Sequence, residues 1–143
     1  MPANDSERKG RQEKHILRYF GIDGLDTSVE YEEGFVQIPN IVLRYLNRLG
    51  LNGSKASLAI LLIYLMSRDF NGKGYSFPSH KLIAKDIDSS PGTVGRNLKK
   101  LKDMGLIEIK LRRTNNGQTT NHYSWDGLKT KLRELMTKDG MIK

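Results

Sequence analysis

The stretch "SSPGTVGRNLKKLKDMGLI", Ser89 to Ile107, decides the fold. It follows Asp88 and opens with turn formers. Ser90 suits an N-cap, and Pro91 suits the first helical position, where a missing N–H costs nothing. Val94, Leu98 and Leu101 then recur at i, i+4 and i+7, which makes one apolar stripe. Gly105 supplies the stop. Two glycines, Gly92 and Gly95, lie in the first turns, with Arg96, Lys99, Lys100 and Lys102 behind them. A helix end with so little side chain and so much positive charge suits close approach to a large anion.

Working outward, "SHKLIAKDI" reads as a short helix opened by Pro78, with Leu82, Ile83, Ala84 and Ile87 inward. On the other side "LIEIKLRR" alternates. Leu106, Glu108, Lys110 and Arg112 take one face, and Ile107, Ile109 and Leu111 the other, as in a strand. Asn116-Gly117 in "TNNGQTT" is a strong hairpin signal, and "NHYSWD" returns as the partner strand. Leu128, Leu132, Leu135 and Met136 then mark a closing amphipathic helix, against which Trp125 is expected to pack. Upstream, Ser54–Asp69 is apolar on nearly every side and reads as the buried central helix, with Ser54 as its N-cap. Before it, Pro39 opens a helix carrying Ile41, Val42, Tyr45, Leu46 and Leu49, and Gly50 ends it. "EGFVQI" reads as a short strand, and Ile16, Leu17 and Phe20 as one docking helical turn.

A short helix, a three-residue turn, a second helix and an immediate hairpin make a helix-turn-helix with a wing. The expected fold class is therefore α+β: a winged helix-turn-helix, mostly helical, with a β-hairpin wing and a third short strand at Phe35–Ile38. The expected organisation is an N-terminal arm and linker over residues 1–30, the winged domain over 31–137 and a C-terminal tail over 138–143.

Charge sharpens this reading. The chain has 143 residues, with 24 basic and 16 acidic side chains and a net charge of +8. Residues 1–53 hold 7 basic and 8 acidic, which leaves 17 and 8 in residues 54–143. A basic excess confined to one part suggests a surface for polyanions. There is no cysteine, so disulfides and thiolate metal sites are excluded. The longest apolar run, Leu58 to Met66, is far short of the ~20 residues that cross a bilayer. "MPANDSERKG" lacks a signal-peptide core. The expectation is a cytoplasmic protein with no membrane partner.

The segment from Tyr75 to Ile109, "YSFPSHKLIAKDID" running on into "SSPGTVGRNLKKLKDMGLIEI", resembles the winged helices of bacterial transcription regulators. It resembles still more closely those of plasmid and phage replication initiators and of conjugative-element accessory proteins of Gram-positive type. The shared elements are Phe77-Pro78-Ser79 before the first helix, Thr93-Val94-Gly95-Arg96 in the second, and Met104-Gly105-Leu106-Ile107 into the wing, with Met104 in the usual lysine place. "GFVQIPNIVLR" is similar to the segment preceding such domains in replication initiators. The resemblance covers roughly residues 31–126 and implies DNA binding by the second helix and the wing. Two departures stand out. Asp88 replaces the glycine usual in the turn, and Gly92 and Gly95 replace larger polar residues in the reading helix.

With Val94, Leu98 and Leu101 inward, Gly92, Thr93, Arg96, Asn97 and Lys100 face outward or toward the helix start. N-terminal residues of a docked helix reach base edges. Arg96 suits a guanine and Asn97 an adenine. Ser89, Ser90 and the helix-start N–H groups suit a phosphate. Each glycine costs a helix roughly 1 kcal/mol against alanine. Close approach to a partner and tight packing against residues 79–87 both stand as reasons. The wing offers Lys110, Arg112 and Arg113, then Asn115, Asn116, Gln118, Thr119 and Thr120 with no acid among them. That chemistry suits phosphate or minor-groove contact. Lys129, Lys131 and Arg133 read as a solvated face. Tyr75, Phe77, Tyr123 and Trp125 could stack on single-stranded bases, but aromatics flanking a winged helix more often pack in the core.

Catalysis finds little support. His15, His80 and His122 are scattered, no metal-ligand spacing appears, and "NGKGYS" lacks phosphate-loop spacing. The expected function is recognition of an origin, transfer or operator region in double-stranded DNA of a plasmid, phage or conjugative element, through helix 91–104 and wing 106–125. No catalytic residue, metal or cofactor is expected. The alternative is a protein-interaction winged helix that recruits a replication or transfer partner, with the acidic residues 23–33 as docking segment. A homodimer through residues 39–49 or 126–137 is compatible with either.

Overall fold

Four helix ends close in the same way. Gly50, Asp88, Gly105 and Gly140 all have positive φ (82°, 53°, 73° and 75°). In each case the next N–H reaches back five residues to a carbonyl: Leu51 to Leu46, Ser89 to Ala84, Leu106 to Leu101 and Met141 to Met136. This is the Schellman ending, whose left-handed residue is normally glycine. Asp88 fills that position at the turn of the helix-turn-helix, where the sequence departs from the usual glycine.

The computed structural model describes residues 21, 23–24, 38–69, 72–113, 115–117 and 119–142. The chain divides into two units, residues 1–35 and 36–143. The fold is that of the second unit. In the first unit only Gly21, Asp23 and Gly24 are described, so the helical turn expected around Ile16 and most of the acidic stretch 23–33 lie outside the described residues.

The elements are α1 (Asn40–Tyr45), a 3₁₀ turn (Gly53–Lys55), α2 (Ala56–Ser67), β1 (Tyr75–Ser76), α3 (His80–Asp86), α4 (Pro91–Asp103), β2 (Glu108–Arg113), β3 (Thr119–Ser124) and α5 (Asp126–Lys138). The strands form one antiparallel sheet in the order β1-β3-β2. Among the described residues, five helices with a hairpin wing and a small third strand make the α+β winged helix-turn-helix that the sequence predicts.

Several details differ. The third strand is β1, which pairs Tyr75 with Ser124 and Ser76 with Tyr123. Ile38 lies in no strand, and residues 35–37 lie outside the described residues. Ser54 caps nothing, because a 3₁₀ turn precedes α2 and no side chain caps either segment. Pro39 and Pro78 stand before their helices rather than inside them. Pro39 is the N-cap residue of α1, and Ser79 caps α3 by accepting the Leu82 N–H. α2 is not buried all round, since Ile60 is 56 % exposed. Finally, α5 extends to Lys138, and Asp139 beyond it accepts a hydrogen bond from the Tyr45 hydroxyl at 2.7 Å. The segment expected to be a tail is thereby tied to α1.

The core forms where α2, α3, α4 and the sheet meet. Leu61, Leu62 and Leu65 of α2 are buried with Ile83, Val94, Leu98, Leu101, Leu106, Ile107, Tyr123, Trp125 and Leu128. Burying a Leu or Ile contributes roughly 1.5–3 kcal/mol, so this cluster fixes how α4 sits. Polar ties add register. The buried Ser76 hydroxyl donates to the Leu65 carbonyl (2.7 Å), and the Tyr64 hydroxyl donates to Asp86 (2.6 Å).

Candidate nucleic-acid interface

The outer face of α4 is organised by its own cap. The Ser90 hydroxyl accepts the Thr93 N–H (3.1 Å) and donates to Thr93 Oγ1 (2.9 Å). Thr93 Oγ1 also accepts from the Arg96 guanidinium at 3.0 Å. The expected apolar stripe, Val94, Leu98 and Leu101, is buried, so Arg96 and Lys100 stand exposed on the opposite side and Asn97 is half-buried. Arg96 lies back over the first turn. A β-carbon on Gly92 would meet its Nη1 at 3.7 Å.

The two glycines thus have different surroundings. Gly92 is exposed beside Arg96, whereas Gly95 faces α3, where a β-carbon would meet His80 Cε1 at 3.7 Å. That is ordinary contact, and neither glycine has positive φ. Tight helix packing therefore does not demand either one.

Ser89 and Ser90 are placed differently from the expectation that both offer themselves to a phosphate. Ser89 is half-buried and its N–H is used by the Ala84 carbonyl. The Ser90 hydroxyl is engaged on both sides by Thr93. Capping thus engages the Ser90 hydroxyl and the Thr93 N–H, two of the groups expected to meet an anion.

In the wing, β2 and β3 pair from Glu108–Ser124 to Arg113–Thr119. Lys110 and Arg113 are exposed, as are Asn115 and Asn116 at the turn. Gln118 lies outside the described residues. Lys110 stands 4.0 Å from the Glu108 carboxylate, with both side chains well exposed, a pair of little energetic weight. Arg112 is not at large. Its guanidinium carbon lies 4.3 Å from the centroid of the Phe77 ring, so wing and α3 entry are linked by a cation–π contact. Leu111 shares the inward face of the strand with Ile109 yet is 70 % exposed, because the wing outruns the core there.

On α5 the lysines are not one solvated face. Lys129 pairs with Asp126 at 3.6 Å. Lys131 donates to the Met104 carbonyl, at the C-terminal end of α4, where a cation is favourable. Sequence reasoning missed this role, because it depends on how α5 docks. Tyr123 and Trp125 are buried core residues, and burial raises the Tyr123 pKa above its ordinary value. A second network joins α1 to the C-terminus. Arg48 and Tyr45 both donate to Oδ2 of Asp139. The hydrogen bond from Arg48, then that from Tyr45, holds the Asp139 carboxyl below its usual range, and the Asp139 bond raises the Tyr45 pKa.

Among the described residues, no helix is long and apolar enough to cross a membrane, and no group of three or more His, Cys, Asp or Glu is placed to hold a metal. No curated protein matches the chain. A family match covers residues 38–141, which spans the fold from the entry of α1 to the end of α5. It takes in the capped α4, the wing and the Asp139 tie together, so the chain belongs to the DnaD N-terminal domain family, a replication-related group with a winged-helix-like domain.

Proposed function

We propose that the domain binds double-stranded DNA during replication of a plasmid, phage or conjugative element, with α4 in the major groove and the wing alongside. It acts in the cytoplasm without catalysing a reaction. One observation carries this reading. From its N-cap to Lys102, α4 presents Arg96, Lys99, Lys100 and Lys102, all exposed, with no acid before Asp103. The buried stripe behind them holds the helix rigidly in place. Arg96 is the base-reading candidate, and Lys110 and Arg113 are the phosphate candidates. The mobile-element setting rests on the resemblance carried by Phe77-Pro78-Ser79, Thr93-Val94-Gly95-Arg96 and Met104-Gly105-Leu106-Ile107.

Salt titration tests the reading. With about five phosphate contacts, log affinity for random duplex should fall against log salt with a slope near −4 to −5. A slope near zero, or no binding at about 50 mM salt, removes the duplex reading. It would promote a second one, a protein-docking winged helix, which the exposed Leu111 on the wing favours.

A further inference from the structure

A cleft of about 660 Å³ opens at the junction of the α2 end, β1, the α3 entry and the wing. Its walls include Arg68, Lys73, Tyr75, Phe77, Arg112 and His122. Three features set it apart from the α4 surface. First, it is aromatic. Tyr75 and His122 meet edge to face with centroids 4.2 Å apart, and Phe77 is 49 % exposed despite its size. Second, it is cationic: among the described residues that line it, Lys73 and Arg112 stand with Arg68 and the single acid Asp69. Third, that acid is already engaged. The two Asp69 carboxylate oxygens accept the Lys73 and Gly74 N–H groups at 2.9 and 2.7 Å. They shape the turn that leads into β1.

The register explains why these groups converge. Tyr75 pairs with Ser124, which puts it on the same sheet face as His122 and Arg112. The buried Ser76 and Tyr123 take the opposite face. The Arg112 guanidinium then closes over Phe77. An exposed aromatic ring with an arginine upon it, beside further cations, is the chemistry that grips a nucleoside phosphate. Rings take the base face and guanidinium or ammonium groups take the phosphate. Duplex DNA cannot offer a base face, because its bases are stacked. A single strand can.

We propose that this cleft holds one nucleotide of single-stranded DNA, with the base stacked at Phe77 and the phosphate at Arg112 and Lys73. The site lies apart from Arg96, so it goes beyond the duplex reading and stands or falls separately from it.

The test is fluorescence anisotropy of the full chain with a labelled oligo-dT of about twelve nucleotides, alongside a labelled duplex. Phe77→Ala changes no charge. It should weaken oligo-dT binding about five-fold or more and leave duplex binding within about two-fold, because a stacked base is lost. Arg96→Ala should do the reverse. Melting curves check that Phe77→Ala folds. Should it fail to fold, amide NMR of the wild-type protein replaces it, with oligo-dT expected to shift Tyr75, Phe77 and His122 ahead of Thr93 and Arg96. Competition by dTMP separates the two sources of the same chemistry. Failure of dTMP to compete supports a strand, and full competition at equal nucleotide concentration would replace the strand with a free nucleotide. Oligo-dT binding unchanged in Phe77→Ala, or shifts confined to α4, overturns the proposal.

Discussion

Gly127 lies so close to the carbonyl oxygen of Gly105 that a β-carbon on it would overlap that atom. The next N–H, that of Leu128, donates to the Leu106 carbonyl at 3.1 Å. The first turn of α5 is thus seated on the junction between α4 and the wing. Glycine inside a helix costs about 1 kcal/mol, and here close backbone approach requires it. Gly127→Ala should destabilise the domain by about 1–3 kcal/mol through overpacking, seen as a lower urea midpoint. Gly95→Ala should do the opposite, stabilising by up to ~1 kcal/mol, since its β-carbon would make only ordinary contact with His80. A loss of DNA affinity in folded Gly95→Ala would instead show that the backbone there meets a partner.

Asp88 provides a second test. With φ at 53° it holds a conformation that side chains branched at Cβ resist. Asp88→Val should cost about 1–3 kcal/mol. Asp88→Gly should be neutral or mildly stabilising, because glycine reaches this region freely. If thermal melts gave the reverse order, the Schellman ending of α3 would be misassigned.

Arg96 and the wing should separate in binding. Arg96→Ala should lower affinity for a preferred site by roughly 1–3 kcal/mol and flatten the preference. Lys110→Ala with Arg113→Ala should weaken all duplexes alike and reduce the salt slope by about two units, since phosphate contacts carry no sequence. Competition on matched and scrambled duplexes reads both. Equal losses on the two duplexes for Arg96→Ala would place the reading residue elsewhere.

The tie of Asp139 to Arg48 and Tyr45 gives a pH signature. A carboxyl held below its ordinary value adds stability that is complete above the unfolded aspartate pKa, about 3.9. That stability is lost as pH falls through the lower folded value. The Tyr45 hydroxyl, raised by the same bond, adds stability below about pH 10 that is lost above it. Asp139→Asn should therefore show a shallower acid limb and also a shallower alkaline one in urea midpoints measured across pH. Superimposable profiles would mean the contact does not persist in solution.

What the sequence discloses is local. Ser90 with Pro91, the Val94–Leu98–Leu101 stripe and Gly105 all act within a few residues, so α4 can be placed from the chain alone. So can the wing, from alternation and Asn116-Gly117. What stays hidden depends on distant partners. Two residues, Tyr75 and Ser76, become a strand only because β3 lies beside them. Lys131 looks solvated until α5 is docked on the Met104 carbonyl. Arg112 reads as a phosphate ligand, and its Phe77 partner lies 35 positions away. Ser90 illustrates a different limit: its sequence signals fit both a cap and an anion ligand, and the fold uses it as a cap.

The shortness of β1 has a mechanical consequence. It backs β3 only at Tyr123 and Ser124, so the hairpin is three-stranded at its root and two-stranded from His122 outward. A lone two-stranded ribbon is marginal in water, and its amides should exchange with solvent faster toward Arg113 and Thr119 than at Ile109 and Tyr123. The wing is therefore a cantilever, clamped at the core and backed by only one neighbouring strand from His122 outward to Thr119. Under the duplex reading proposed above, a ribbon so backed would let the wing adjust to grooves of different width while α4 stays fixed.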